Sequence, residues 1–207
     1  MTDLVLVRHG ETVWHAENRY AGLTDVELTP RGRAQAELLA GWAAGAGLEA
    51  VWASPLSRAR ITAETAAAKA DPPLSPVRVD ERLRELDFGQ GDGLTSAEMK
   101  ARFPDARAAF EADPAAHPLP GGEDPYQAAA RFVAALQDIA AAHPQGRVLV
   151  VAHTTAIRLA LCRLIGVPLG EYRRLFPRLD NCALTELRLR AGQVAMLQYN
   201  SPIGAVR

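Results

Sequence analysis

The chain has 207 residues, with 23 Lys or Arg against 24 Asp or Glu and a net charge of -1 at pH 7. That balance carries no electrostatic footprint for nucleic acid or an anionic membrane surface, and no apolar run approaches the length of a membrane span. The length fits one domain over 1–207 with a substantial buried core.

Leu4 to Val7 form a short, unbroken apolar run, which reads as a strand buried on both faces. Arg8, His9, Gly10, Glu11 and Thr12 follow at once. They therefore occupy a loop at a strand's carboxyl end, the edge where open parallel α/β sheets bind ligands. A guanidinium fork, an imidazole that can act as nucleophile or base, and a glycine that lets a ligand approach the backbone suit an anion, phosphate above all. Val13 to Glu27 has no clear period and mixes Trp14, His15, Asn18, Arg19, Tyr20 and Gly22. Thr29-Pro30 supplies a helix start, and the helix is expected to run to about Ala46. Ala50 to Ala53 form a second buried strand ending in Ser54-Pro55-Leu56-Ser57-Arg58, with a helix onward to about Ala70.

Asp71-Pro72-Pro73 breaks the chain, and Val77 to Val79 read as a short third strand. The glycines of Arg84 to Gly93 preclude a regular element. Thr95-x-x-Glu98 has the pattern of a capping box, and Pro104, Pro114, Pro118 and Pro120 punctuate the segment beyond it. Residues 89–122 are therefore expected to be a helical lid insertion and not a second domain. Asp124-Pro125 starts a long helix to about Ala142. Val148 to Ala152 are a third fully apolar strand, followed by His153-Thr154-Thr155 and a helix to Ile165 that Gly166 closes. Cys182 to Arg190 and Val194 to Tyr199 alternate around Ala191-Gly192, a terminal hairpin. Cys162 and Cys182 lack metal-ligand spacing and read as reduced core thiols. With no leader pattern ahead of the first strand, a cytoplasmic location is expected.

Strand-helix alternation predicts an α/β fold with a mainly parallel sheet and right-handed crossovers. On that topology Arg8, His9, Arg58 and His153 emerge at one sheet edge. The runs Leu6-Val7-Arg8-His9-Gly10-Glu11-Thr12, Ser54-Pro55-Leu56-Ser57-Arg58-Ala59, Arg84-Glu85 with Phe88-Gly89, Pro120-Gly121-Gly122-Glu123 and Val151-Ala152-His153 resemble, in order, those of the histidine phosphatase superfamily, phosphoglycerate mutase-like. The resemblance implies a three-layer α/β/α sandwich and a phosphatase acting on a small phosphorylated metabolite. It also implies that His9 is the nucleophile, that Arg8, Arg58 and His153 bind the phosphoryl oxygens, and that Glu85 is the proton donor.

Those roles agree with the chemistry. Phosphoryl transfer with a loose transition state needs positioning and charge neutralisation more than covalent help, and guanidinium forks offer planar donors to the oxygens. His9 has to attack through an unprotonated nitrogen, so its other nitrogen should be held by an acceptor such as a backbone carbonyl. Glu85 has to give a proton and then take one, which favours a raised pKa. None of the five histidines forms a close-spaced metal pair, so no metal and no cofactor is expected.

The chain departs from the family at three places. His15 stands where the family usually has an Asn that helps to hold phosphate; His15 is expected to replace it, with Asn18 from a shifted loop as the alternative. Gly91-Asp92 replaces Trp-Glu, which suggests a wider pocket mouth. Thr154 follows His153 in place of the frequent Gly, with its N–H and hydroxyl expected at the anion. Gly22, Leu23 and Thr24 match a substrate-contacting segment, and Glu123 is expected on the leaving-group side or as a lid-orienting residue. Leu86-Asp87-Phe88-Gly89 after the acid resembles the broad phosphatase branch. A cofactor-dependent mutase is the alternative, then a non-catalytic phospho-ligand binder; the sequence leaves both monomer and homodimer open.

Overall fold

The computed structural model describes residues 1–203. Strand β1 (Thr2–Arg8) holds the opening apolar run, with Leu4, Val5, Leu6 and Val7 buried. It pairs parallel with β4 (Arg147–Ala152) on one side and antiparallel with β5 (Leu184–Arg190) on the other. Beyond β4 lie β2 (Ala50–Ala53) and the two-residue β3 (Arg78–Val79), both parallel, and β6 (Gln193–Ser201) closes the opposite edge antiparallel to β5. The order is β3-β2-β4-β1-β5-β6. The expected mostly parallel sheet and terminal hairpin are both present, and the third strand is a short exposed edge.

The strand alternation separates two apolar layers. Leu4, Leu6, Val148 and Val150 pack with α6 (Pro125–Ala142) and α7 (Thr154–Ile165) through Phe132, Leu136, Ile157 and Leu161. Val5, Val7, Val51, Leu149 and Val151 pack on the other face against α2 (Pro30–Ala43) and α3 (Ser57–Lys69) through Leu39, Ala43, Ala59 and Ala63. Period-two side chains on β1 and β4 thus build a three-layer sandwich. The helix starts obey their local signals: Thr29 Oγ1 accepts from Gly32 N–H and Asp124 from Tyr126 N–H. Gly166 ends α7 at φ +73°.

The 89–122 segment carries α4 (Ser96–Arg102), which opens on the expected Thr95–Glu98 capping box, and α5 (Pro104–Ala112). Met99, Phe110 and Leu119 from this segment are buried in the same apolar cluster as β1 and α6, so it shares the main core. A single turn of helix, α1 (Val13–Ala16), stands in the stretch without a period. Cys162 and Cys182 are buried and unpaired, and burial pushes their thiols up to about 11 and about 12. Cys182 lies just before β5 at φ +59°, outside the strand expected to contain it.

Parallel register aligns the strand ends. Arg8 is opposite Ala152 and Ala53 is opposite Val151, so β1, β2 and β4 end level. The loops that leave them open at one edge.

Candidate active site

The loop after β1 is tied down by its backbone. His9 N–H donates to Ala152 O at 3.1 Å, Cys182 N–H to Arg8 O at 2.8 Å, and Asn181 Nδ2 to His9 O at 2.7 Å. A Cβ on Gly10 would collide with the carbonyl of Gly32, and a Cβ on Gly32 with the backbone of Glu11. The close approach that makes Gly10 a glycine is therefore the first turn of α2, not a ligand.

His9 Nδ1 donates to the Gly10 carbonyl at 2.7 Å. A carbonyl oxygen can only accept, so the ring proton sits on Nδ1 and Nε2 keeps its lone pair. Burial, followed by the charges of Arg58 and Arg8, holds the imidazole well below its ordinary pKa. The ring is neutral at physiological pH, with the free nitrogen a nucleophile needs.

Arg58 opens α3, where the chain leaves β2, and is 0 % exposed. Its Nη1 donates to Thr24 O at 2.9 Å and its Nη2 to Gly22 O at 2.7 Å. Asp92 pins the same loop from the other side, accepting from Gly22 N–H at 2.8 Å, Thr24 N–H at 3.0 Å and Thr24 Oγ1 at 2.8 Å. Gly22, Leu23 and Thr24, expected at the substrate, are thus placed as the cradle of Arg58; none of them lines the cavity, and the Leu23 side chain is turned to solvent. At Gly91-Asp92, where a wider mouth is expected, Asp92 is the clamp of this loop and a Leu119 methyl occupies the space of a side chain at 91.

Arg8 Nη1 donates to Leu179 O at 2.8 Å, and Nη2 meets His15 Nε2. At the other ring nitrogen, His15 Nδ1 accepts from Thr12 N–H at 3.0 Å, with Thr12 Oγ1 2.9 Å away. Burial and the charges of Arg8 and Arg58 press the His15 pKa down to about 4. His15 lines the cavity beside Arg8 as a ring that is neutral at physiological pH, as the Asn it replaces would be.

His153 caps α7 at the end of β4 and is fully buried. Its ring centroid lies 5.1 Å from that of His9. Ser54 Oγ accepts from Leu56 N–H at 3.3 Å and sits 2.7 Å from His153 Nε2. His153 Nδ1 has no hydrogen-bond partner among the described residues. Burial, then Arg58, lowers this imidazole too.

Glu85 comes from the glycine-rich loop and meets the first turn of α7. Oε1 accepts from Leu86 N–H and Ala156 N–H, both at 2.8 Å, and Oε2 accepts from Thr155 N–H at 3.0 Å. Oε2 thus has the more open coordination, the place for a transferable proton. The Thr154 side of that turn lines the cavity, while the N–H groups of the next two residues hold Glu85. Glu123, expected on the leaving-group side or as a lid-orienting residue, is paired with Arg131 at 2.7 Å and Arg84 at 3.2 Å. Arg131 in turn donates to the carbonyls of Arg82, Arg84 and Glu85, so the pair positions the loop that carries Glu85.

Arg8, His9, His15, Glu85 and Thr154 border a cavity of about 530 Å³. Arg58 and His153 are both 0 % exposed and stand directly behind this lining, the His153 ring 5.1 Å from that of His9. Tyr20, Arg158 and Arg173 also line it, and sequence reasoning gave none of them a role. Arg158 could have been found: it lies one helical turn after Thr154, on the same face of α7. Among the described residues no group of three or more His, Cys, Asp or Glu is placed to hold a metal ion, and no helix is long and apolar enough to cross a membrane.

Residues 4–202 match the family model of the histidine phosphatase superfamily (branch 1). The chain is 31% identical over 201 residues to phosphoserine phosphatase 1 of Hydrogenobacter thermophilus, covering 97% of this chain and 92% of that protein. It is 33% identical over 198 residues to a probable phosphoglycerate mutase, GpmB, of Salmonella paratyphi B, covering 93% and 87%. Among solved structures, a mycobacterial glucosyl-3-phosphoglycerate phosphatase complexed with VO3 superposes with a TM-score of 0.86 at 30% identity, covering 97% of this chain and 99% of that one.

Proposed function

The chain belongs to the histidine phosphatase superfamily, and from that premise we propose that it hydrolyses phosphomonoesters of small metabolites through a phosphohistidine, without a metal ion. The observation that carries this reading is His9: an imidazole kept neutral by burial and two arginines, its proton fixed on Nδ1 by Gly10 O. Relatives named as phosphatases of phosphoserine and of glucosyl-3-phosphoglycerate support hydrolysis. The buried, unpaired thiols support a cytoplasmic location.

In the proposed reaction His9 Nε2 attacks phosphorus as the ester P–O bond breaks, with Arg8, Arg58 and His153 Nδ1–H drawing charge from the phosphoryl oxygens. Glu85 gives its proton to the departing alkoxide. Water then attacks phosphohistidine and passes a proton to Glu85, the N–P bond breaks, and phosphate leaves. Proton transfer of this kind contributes ~10²–10⁴ in rate.

A panel of phosphomonoesters tests this, with free phosphate measured against isomerised product, His9→Ala as the control, and a chelator added. Phosphate release that the chelator leaves unchanged and His9→Ala abolishes is expected. Isomerised phosphoglycerate without phosphate release, or activity that a chelator removes and a divalent ion restores, overturns the proposal.

A further inference from the structure

The cavity holds more positive charge than one phosphoryl group requires. Arg8 is occupied by Leu179 O and His15, and Arg19 is paired with Glu17 at 2.6 Å and Glu98 at 2.8 Å. Arg158 and Arg173 also line the cavity, and neither has a carboxylate partner among the described residues. Arg158 Nε is buried and has no hydrogen-bond partner there. An uncompensated, partly buried guanidinium is costly to keep unless a ligand completes it.

Arg173 is fixed by aromatic neighbours. Its guanidinium carbon lies 4.7 Å from the Phe110 ring centroid, 5.6 Å from Tyr172 and 5.9 Å from Tyr20. Its Nε donates to Tyr172 OH at 3.0 Å and its Nη2 to Tyr20 OH at 3.2 Å. Arg107 Nη1 also donates to Tyr20 OH, at 3.1 Å. A phenol oxygen that accepts twice still owns one hydrogen to give, and no acceptor for it is found among the described residues. Although burial works against it, the two guanidinium groups hold the Tyr20 hydroxyl below its ordinary pKa, which makes it a stronger donor.

We propose that Arg173 and Tyr20, with Arg158 beside Arg8, form a second anion subsite on the leaving-group side of the cavity, and that the substrate's leaving group carries a carboxylate. The reading rests on the phosphoryl group sitting against His9. One edge of Arg173, the Tyr20 hydroxyl and Arg158, whose side chain also bonds to Tyr199 and keeps an unpartnered Nε, match a planar two-oxygen anion.

Matched probes test the inference: phosphoserine against phosphoethanolamine, and 3-phosphoglycerate against 2-hydroxyethyl phosphate, each pair differing by one carboxylate, with 1,3-propanediol bisphosphate as the second-phosphate arm. In the unmodified protein kcat/KM for the carboxylated member is expected to exceed its partner's by about tenfold or more, through KM. Arg173→Met, Tyr20→Phe and Arg158→Met should each shrink that ratio, and Arg173→Lys should restore part of it. Calorimetric titration of the His9→Ala protein with the same pairs reads the preference without turnover. Absence of hydrolysis together with tighter binding of the carboxylated member would sink the phosphatase reading and leave the subsite standing. A ratio near one in both assays, a preference for the bisphosphate, or a ratio that survives all three variants overturns the subsite.

Discussion

The Gly10 carbonyl oxygen and His9 Nδ1, 2.7 Å apart in consecutive residues, decide which nitrogen of the ring can react. The backbone acceptor makes the tautomer a property of the loop. Since burial and the neighbouring arginines depress the His9 pKa and the neutral ring is the active form, activity persists as pH falls through 6.5 and declines only below the lowered value. The acid limb of kcat/KM against pH should therefore lie below the ordinary imidazole range. A limb at 6.5 or above contradicts this. His9→Ala should cost about 10³-fold or more in kcat and abolish acid-quenched phosphohistidine.

Ser54 should set the tautomer of His153 in the same way. A hydroxyl that gives its hydrogen to Nε2 across their 2.7 Å contact leaves the ring proton on Nδ1, the form that can donate to a phosphoryl oxygen. Ser54→Ala removes that donor, so the proton is free to move to Nε2. Nitrogen-15 NMR of the His153 ring should report an Nδ1–H form in the parent and a shift toward Nε2–H in the variant. KM for a phosphate ester, or the inhibition constant for vanadate, should rise about tenfold, the worth of one charge-assisted hydrogen bond, with kcat less affected.

Asp92 acts on Arg58 through the backbone of 22–24. In Asp92→Ala, Gly22 N–H and Thr24 N–H lose their shared acceptor, and the two carbonyls that orient Arg58 drift. Phosphate affinity should fall by roughly 3–10-fold, about 1 kcal/mol. Asp92→Asn, which keeps an acceptor but not both, should fall between. Unchanged affinity in the alanine variant would show that Arg58 is oriented without this loop.

Acid stability carries a distinct signature. His9, His15 and His153 all have folded pKa values below 6.5, His15 near 4. Above 6.5 both states are neutral at these rings and they contribute no pH dependence. As pH falls below 6.5 the unfolded chain binds protons that the folded chain refuses, so stability drops. For His15 the loss stops growing once pH passes about 4. Urea midpoints at pH 7.5, 6 and 5 should fall in that order, and His15→Asn should lessen the slope. A midpoint that holds or rises on acidification from 7.5 to 5 is incompatible with three neutral rings.

Much of this was legible in the chain. β1, β2, β4, α2, α3, α6 and α7 follow from apolar periodicity and local caps, and strand ends brought level by parallel register place His9, Arg58 and His153 together. The misses share one cause. The segment 13–27 has no period because its geometry is imposed from a distance: Tyr20 N–H reaches Leu94 O, Gly93 N–H reaches Tyr20 O, and Asp92 holds Gly22. Thr24 and Gly22 therefore looked like contacts for a substrate when they are contacts for Arg58. Glu123 had a visible motif, but its partner Arg131 is a half-buried polar position on a helix whose periodicity advertises only its apolar face. His15 sat beside two arginines whose combined field no spacing rule could supply.

Arg58 has a consequence outside catalysis. Its guanidinium is wholly enclosed, it meets only carbonyl oxygens, and no carboxylate lies within ion-pair distance among the described residues. A folded chain that locks away an unneutralised cation becomes a reservoir for anions, because any that reaches this charge and not the unfolded chain raises the melting temperature with its concentration. The melting point measured in phosphate buffer should therefore exceed that in a buffer of uncharged or cationic species at equal pH and ionic strength, and titrate with inorganic phosphate. The same protein would be handled as robust in one laboratory and as fragile in another, solely through the choice of buffer salt.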